Sequence, residues 1–133
     1  MARINEEERW KYEIYKELEN LISKMNYDVD AAIVEGPHDK KTLKLLGYTK
    51  PILICSKRSH NELVDLIAKR YPRIVVLTDF DEQGVILNKK LSDLFEKRGV
   101  KVDRFYRTKF LKLLKAVRIS TIEGIYSIKH ALF

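Results

Sequence analysis

Three carboxylates define the chemistry open to this chain of 133 residues: Glu35, Asp79 and Asp81. Each follows a short run of apolar residues. Glu35 comes directly after Ala31-Ala32-Ile33-Val34, and Asp79 and Asp81 lie just beyond Ile74-Val75-Val76-Leu77. In extended backbone, residues two apart project to the same side. Two carboxylates so placed, ~7 Å apart, repel by about 2–3 kcal/mol at an effective dielectric near 20. A chain tolerates this on a wet turn, or it recruits a cation. A turn with Asp81 or Glu82 at a helix start, where acids are favoured, accounts for one acid but not for the pair.

The flanking segments indicate what must position these acids. Trp10, Ile14, Leu18, Leu21 and Met25 recur at helical spacing, predicting an amphipathic helix over residues 5–25. The Ala31–Val34 strand is broken by Glu35-Gly36-Pro37. Pro37 is suited to open a helix carrying Leu43, Leu45 and Leu46, which Gly47 ends. Residues 51–55 read as a second strand. Ser59 or Asn61 can cap a helix through Leu63, Leu66 and Ile67 that stops before Pro72. A third strand leads into Asp79, a helix through Val85, Leu87, Leu91, Leu94 and Phe95 ends at Gly99, and residues 100–103 form a fourth strand. Alternating strands and helices predict an α/β fold, with a four-stranded, mostly parallel sheet flanked by helices. Ligands of such sheets bind beyond the carboxyl ends of the strands, the edge at which Glu35 and Asp79 would meet.

Composition narrows the class. The chain is 45% hydrophobic and 34% charged, which suits a globular protein, and its length suits a single domain over 1–133. A net charge of +7 favours a polyanionic partner. Cys55 stands alone among apolar neighbours, which excludes an internal disulfide and reads as a buried small residue. No apolar stretch has membrane-span length, and the acidic, polar start does not resemble a signal peptide. The expectation is a cytoplasmic protein.

Val34-Glu35-Gly36-Pro37-His38-Asp39 and Thr78-Asp79-Phe80-Asp81-Glu82-Gln83-Gly84 together resemble the hydrophobic-Glu-Gly and Asp-x-Asp motifs of the Toprim domain. This domain is shared by primases, topoisomerases and certain nucleases. The resemblance covers a core of about 28–105, with the 5–25 helix before it and a basic helical extension, 106–133, after it. It resembles the small stand-alone Toprim proteins of archaea and implies a Rossmannoid fold with magnesium-dependent phosphoryl transfer on nucleic acid. Glu35 would match the family's acid/base glutamate, and Glu35, Asp79 and Asp81 its metal-binding acids, with Glu35 and Asp79 as the catalytic pair. The physical reading agrees. Magnesium is hard, keeps several waters and needs one or two carboxylates, and manganese is the alternative ion. Glu82 could be a further ligand or simply helix-start charge. His38 and Asp39 could touch substrate, and the stronger reading for both is a surface position on a first helical turn. Gly36 and Gly84 suit either a close backbone approach or a plain turn.

Lys57 and Arg58 follow the second strand and are equally compatible with holding phosphate and with a solvated loop. Residues 104–118 carry Arg104, Arg107, Lys109, Lys112, Lys115 and Arg118 with no acid, interleaved with Phe105, Tyr106 and Phe110. Cations beside aromatics suit a groove for single-stranded nucleic acid. The competing reading is a helix with Phe110, Leu111, Leu114 and Val117 in the core and its lysines in water. Ser120-Thr121-Ile122-Glu123 reads as a capping box, and no tyrosine, Tyr126 included, stands out as a nucleophile. The chain is too short for the added modules of topoisomerases or primases, and it has no glycine-rich phosphate loop. Two functions follow: a nuclease acting on RNA or DNA, or a non-catalytic binding module of a larger RNA-processing or replication complex with protein partners.

Overall fold

The computed structural model describes residues 5–118. Its elements are α1 (Glu6–Asp28), β1 (Ala31–Val34), α2 (Pro37–Leu45), β2 (Ile52–Ile54), α3 (His60–Ala68), β3 (Arg73–Val76), α4 (Glu82–Lys97), β4 (Lys101–Asp103) and α5 (Phe105–Ala116). The fold is α/β, as expected. Its sheet is parallel throughout, in the order β2-β1-β3-β4.

That order follows from the strands' composition. β1 is buried at every position and β3 at all but its first, so both need helices on two faces and take the centre. Successive residues then alternate between two cores. Ala32, Val34, Val75 and Leu77 face α1, α2 and α5, while Ala31, Ile33, Ile74 and Val76 face α3 and α4. From β1 the chain moves outward to β2 and then crosses back to β3. The sheet's switch point therefore lies between β1 and β3, and a crevice opens there past their carboxyl ends.

Local signals set most boundaries. Asn5 caps α1, its Oδ1 accepting from Glu8 N at 2.8 Å while Glu8 accepts from Asn5 N at 3.3 Å. Ser59 rather than Asn61 caps α3, its Oγ accepting from Glu62 N at 3.2 Å. Gly47 and Gly99 close α2 and α4 in the left-handed region, at φ 103° and 82°.

Three details differ from expectation. The second strand is shorter than 51–55, because Cys55 enters a 3₁₀ turn through Lys57. The buried stripe of α1 starts at Ile14, leaving Trp10 43% exposed; α5 meets α1 along its later turns, from Glu17 to Lys24 and at Asp28. Val85, expected to face the core, is exposed, and α4 buries Leu91 and Phe95 instead. α5 is a core element as well as a basic one: Tyr106, Phe110 and Leu114 are buried in the cluster that holds α1. The capping box at Ser120–Glu123 and Tyr126 lie outside the described residues. Among the described residues, no helix is long and apolar enough to cross a membrane.

Candidate functional site

Glu35 lies one residue past β1, and Asp79 sits three residues beyond the end of β3. The strands are neighbours, and Glu35 spans the gap between them: its Oε1 accepts from Asp79 N at 3.0 Å. The Glu35 carbonyl also accepts from Ser56 N, at 3.4 Å, in the turn after β2. One residue thus ties together the carboxyl ends of three strands.

Further acids converge here. Asp81 is the N-cap of α4, its Oδ1 accepting from Gly84 N at 2.7 Å. The helix-start and binding readings of Asp81 are therefore compatible, because the cap engages only one carboxylate oxygen. Asp39 is buried, not on the surface as expected, and accepts from Gly36 N at 3.0 Å. His38 is exposed. Burial first, then the charges of Glu35, Asp39 and Asp81, push the Asp79 carboxyl up to about 7. Burial and the same acid field push the Cys55 thiol up to about 11, so it stays a neutral, buried thiol.

The support beneath the acids comes from α4 and α5. Gly84 approaches the Asp79 backbone so closely that a Cβ would stand 1.9 Å from the Asp79 carbonyl oxygen. At Gly36, by contrast, a Cβ would make only an ordinary contact, 3.8 Å from Asp39. The buried Thr78 hydroxyl donates to the Gly84 carbonyl at 2.7 Å, closing the same turn. Arg107 reaches inward from α5 and away from the basic groove expected of it. Its Nη1 donates to the carbonyls of Val76 and Thr78 at 3.1 and 2.8 Å, and its Nη2 to that of Asp79 at 3.1 Å. The guanidinium also lies 4.6 Å from the Phe80 ring centroid. Burial lowers its pKa to about 10, against the raising charges of Glu35 and Asp79, so it is still a cation at neutral pH. The three carbonyls run from the last residue of β3 into the turn after it, and a planar fork of donors suits such a row of acceptors. Arg107→Ala is expected to cost about 2 kcal/mol by leaving those carbonyls and the nearby acids unanswered, with Arg107→Lys recovering only part. Urea unfolding of both variants measures this, and an unchanged midpoint for Arg107→Ala would rule the role out.

The acids suit a hard divalent cation. Their donors are carboxylate oxygens, and the Asp79 pKa, raised by burial first, is raised further by the neighbouring acids, a charge a cation would relieve. Among the described residues, no three His, Cys, Asp or Glu side chains form a ready cage. The donor set therefore fits an ion that keeps most of its waters and takes one or two carboxylates, as magnesium does.

The expected basic residues fall into separate places. Lys57 and Arg58, with Lys40, line a cavity of about 280 Å³ beside β2. Lys109 and Lys112 line a groove of about 510 Å³ between α1 and α5, with Lys24, Phe105 and Leu113. The Lys109 ammonium sits 5.4 Å from the Phe105 ring centroid. Arg104 is ion-paired with Glu96, and Arg118 is exposed just after α5. Sequence reasoning missed Asp39, Thr78 and Lys40. Asp39 alone had a local signal, as an acid three residues after the helix-opening Gly36.

Residues 30–113 match the Toprim domain. The chain is 39% identical over 116 residues to a UPF0292 protein of Pyrococcus abyssi, covering 87% of this chain and 86% of that one. It is 34% identical over 122 residues to a UPF0292 protein of Methanosarcina barkeri, covering 86% and 85%. A solved structure of a protein from Aquifex aeolicus superposes with a TM-score of 0.64 at 27% identity, covering 85% of this chain and 95% of that one.

Proposed function

The chain belongs to the Toprim domain family, and from that premise we propose that it is a magnesium-dependent nuclease that cleaves phosphodiesters in RNA or DNA. Membership in this family ties the chain to metal-dependent nucleic-acid processing. The observation that carries the finer reading is the Glu35–Asp79 contact at the switch point of the sheet, with the Asp79 carboxyl held near 7 by burial first and by its acidic neighbours second. An acid cluster this repulsive, at the edge where parallel sheets bind ligands, is better explained by a cation site than by a solvated turn.

In this reading Asp79 and Asp81 would hold magnesium, or manganese in its place, with Glu35 beside them contributing to the site mainly as the acid/base. When bound, the ion supplies charge neutralisation at a phosphate and orientation of the attacking oxygen. The chain's own residues do the rest. Asp81 is held at the start of α4 by its own cap, which fixes its carboxylate beside Asp79. Glu35, held by the Asp79 N–H on one oxygen, would act as the catalytic acid/base. Arg107 and Gly84 hold the Asp79 backbone in place from below.

The test is cleavage of labelled single-stranded RNA and DNA across a magnesium series, repeated in manganese, with Glu35→Gln as a parallel chain. Turnover is expected only with the ion, and Glu35→Gln should lose turnover while still binding magnesium by calorimetry. Magnesium should also raise the melting temperature by mass action. Binding of nucleic acid without any ion-dependent cleavage would move the protein to the non-catalytic module reading.

A further inference from the structure

The acid cluster poses an electrostatic problem for the proposed substrate. A nucleic-acid strand approaching Glu35, Asp39, Asp79 and Asp81 meets charge of its own sign. The cation beneath the site, Arg107, is engaged on three backbone carbonyls. Attraction has to come from cations at the rim.

The cavity beside β2 supplies them. Its walls are Lys40 from α2, Ile52, Leu53 and Ile54 from β2, and Lys57 and Arg58 from the following turn. No acid lines it, and among the described residues none of the three cations takes part in an ion pair. Lys57 immediately follows Ser56, whose N–H is bonded to the Glu35 carbonyl, so the cavity adjoins the acid edge through one short turn. β2 is also an edge strand paired only with β1, which leaves part of its backbone open to a ligand.

The lining decides the ligand's chemistry. Three uncompensated cations favour an anion. No aromatic ring is present to stack a base, and no amide or carboxylate is present to read a base edge. At about 280 Å³ the space lies just under the range typical of whole small-molecule ligands, which suits a phosphate and its waters rather than a nucleoside. The groove between α1 and α5 differs, since Glu17, Phe105 and Leu113 contribute to it.

We infer that Lys40, Lys57 and Arg58 form a phosphate subsite holding a backbone or terminal phosphate of a single strand next to the phosphodiester at Glu35 and Asp79. This rests on the nuclease reading for its substrate, but not for the anion itself. The subsite is blind to base identity and sets the strand's path across the β1–β2 side of the sheet.

The test uses the full chain and a triple variant, Lys40→Ala, Lys57→Ala and Arg58→Ala. All three side chains are at least partly exposed, so melting should be unchanged. The first probe is inorganic pyrophosphate, titrated without metal and followed by the backbone amide resonances of residues 56–59. Shifts there in the native chain, lost in the variant, are expected. Their absence in the native chain overturns the subsite whatever the enzyme does. The second probe is a mixed-sequence single-stranded oligonucleotide at several salt concentrations. The variant should bind about tenfold more weakly, with a log–log salt slope shallower by about 1. Unchanged affinity and slope overturn the inference. Comparing 5′-phosphate with 5′-hydroxyl ends separates the two sources: a preference marks a terminal phosphate, equal affinity an internal one. Pyrophosphate binding at 56–59 in a native chain without magnesium-dependent cleavage would support the subsite and remove the nuclease reading.

Discussion

Asp79→Asn is expected to lower magnesium-dependent turnover by on the order of 10²–10³-fold, the scale of losing one preorganised charge at a reacting centre. The same change should make the metal-free protein more stable above neutral pH. Burial foremost, and then Glu35, Asp39 and Asp81, hold the Asp79 carboxyl up near 7 in the fold, against 3.8 ordinarily. The folded state therefore binds this proton more tightly than the unfolded chain does. The associated stability is fully present below the ordinary carboxylate pKa and is lost as pH rises through about 7. Because the carboxyl is only half-buried, solvent screening reduces the effect to about 1–2 kcal/mol. Urea unfolding without metal at pH 5 and pH 8 measures it. The native chain should weaken between these values more than Asp79→Asn does, and magnesium at pH 8 should stabilise the native chain alone. Parallel stabilities, with equal magnesium response, would reduce Asp79 and Asp81 to ordinary surface acids.

Gly84→Ala should have the largest effect on the fold of any single methyl added near the site. The new Cβ would sit 1.9 Å from the Asp79 carbonyl oxygen and 2.4 Å from its carbonyl carbon, both backbone atoms that cannot rotate away. Either α4 retreats from the strand end or the Asp79 peptide moves. Each route strains the Arg107–Asp79 bond, the Thr78–Gly84 bond and the Asp81 cap. A cost of about 3–4 kcal/mol is expected, above the usual range for overpacking because the clash is with backbone. Magnesium affinity should fall in parallel, since Asp79 and Asp81 flank the displaced segment. Gly36→Ala is the control, because its Cβ would meet only a side-chain oxygen at 3.8 Å. Equal stability for the two variants would show that α4 can shift freely.

Glu35 and Asp79 could be paired from sequence because both the period and the punctuation are local. Continuous apolar runs at 31–34 and 74–77 mark buried strands, and each leads into an acid followed by helix-start residues. Strands alternating with helices then place both ends on one edge of a parallel sheet. The closing glycines 47 and 99 were legible for the same reason, and the cap of α3 was narrowed to Ser59 or Asn61, since each rests on contacts within a few residues. The sequence by itself therefore determined the α/β class, the order of elements and the edge on which the acids lie.

Tertiary structure decided which partners these residues have. Nothing in the spacing of residues 104–118 separates Arg107 from Lys109 and Lys112, because a helical repeat assigns a face but not what covers it. Only the docking of α5 against the end of β3 turns one cation inward onto three carbonyls and leaves the other two in a groove with α1. Lys40 joins Lys57 and Arg58 only because α2 packs beside β2, and Gly84 is obligatory only because α4 starts against Asp79. These contacts depend on strand order and helix docking, which are fixed by how the two cores fill on either side of the sheet. Local periodicity carries no record of that choice, so Glu35, Asp79 and Asp81 could be set on one edge from the sequence, whereas buried Asp39 and the residues packed beneath the acids could not.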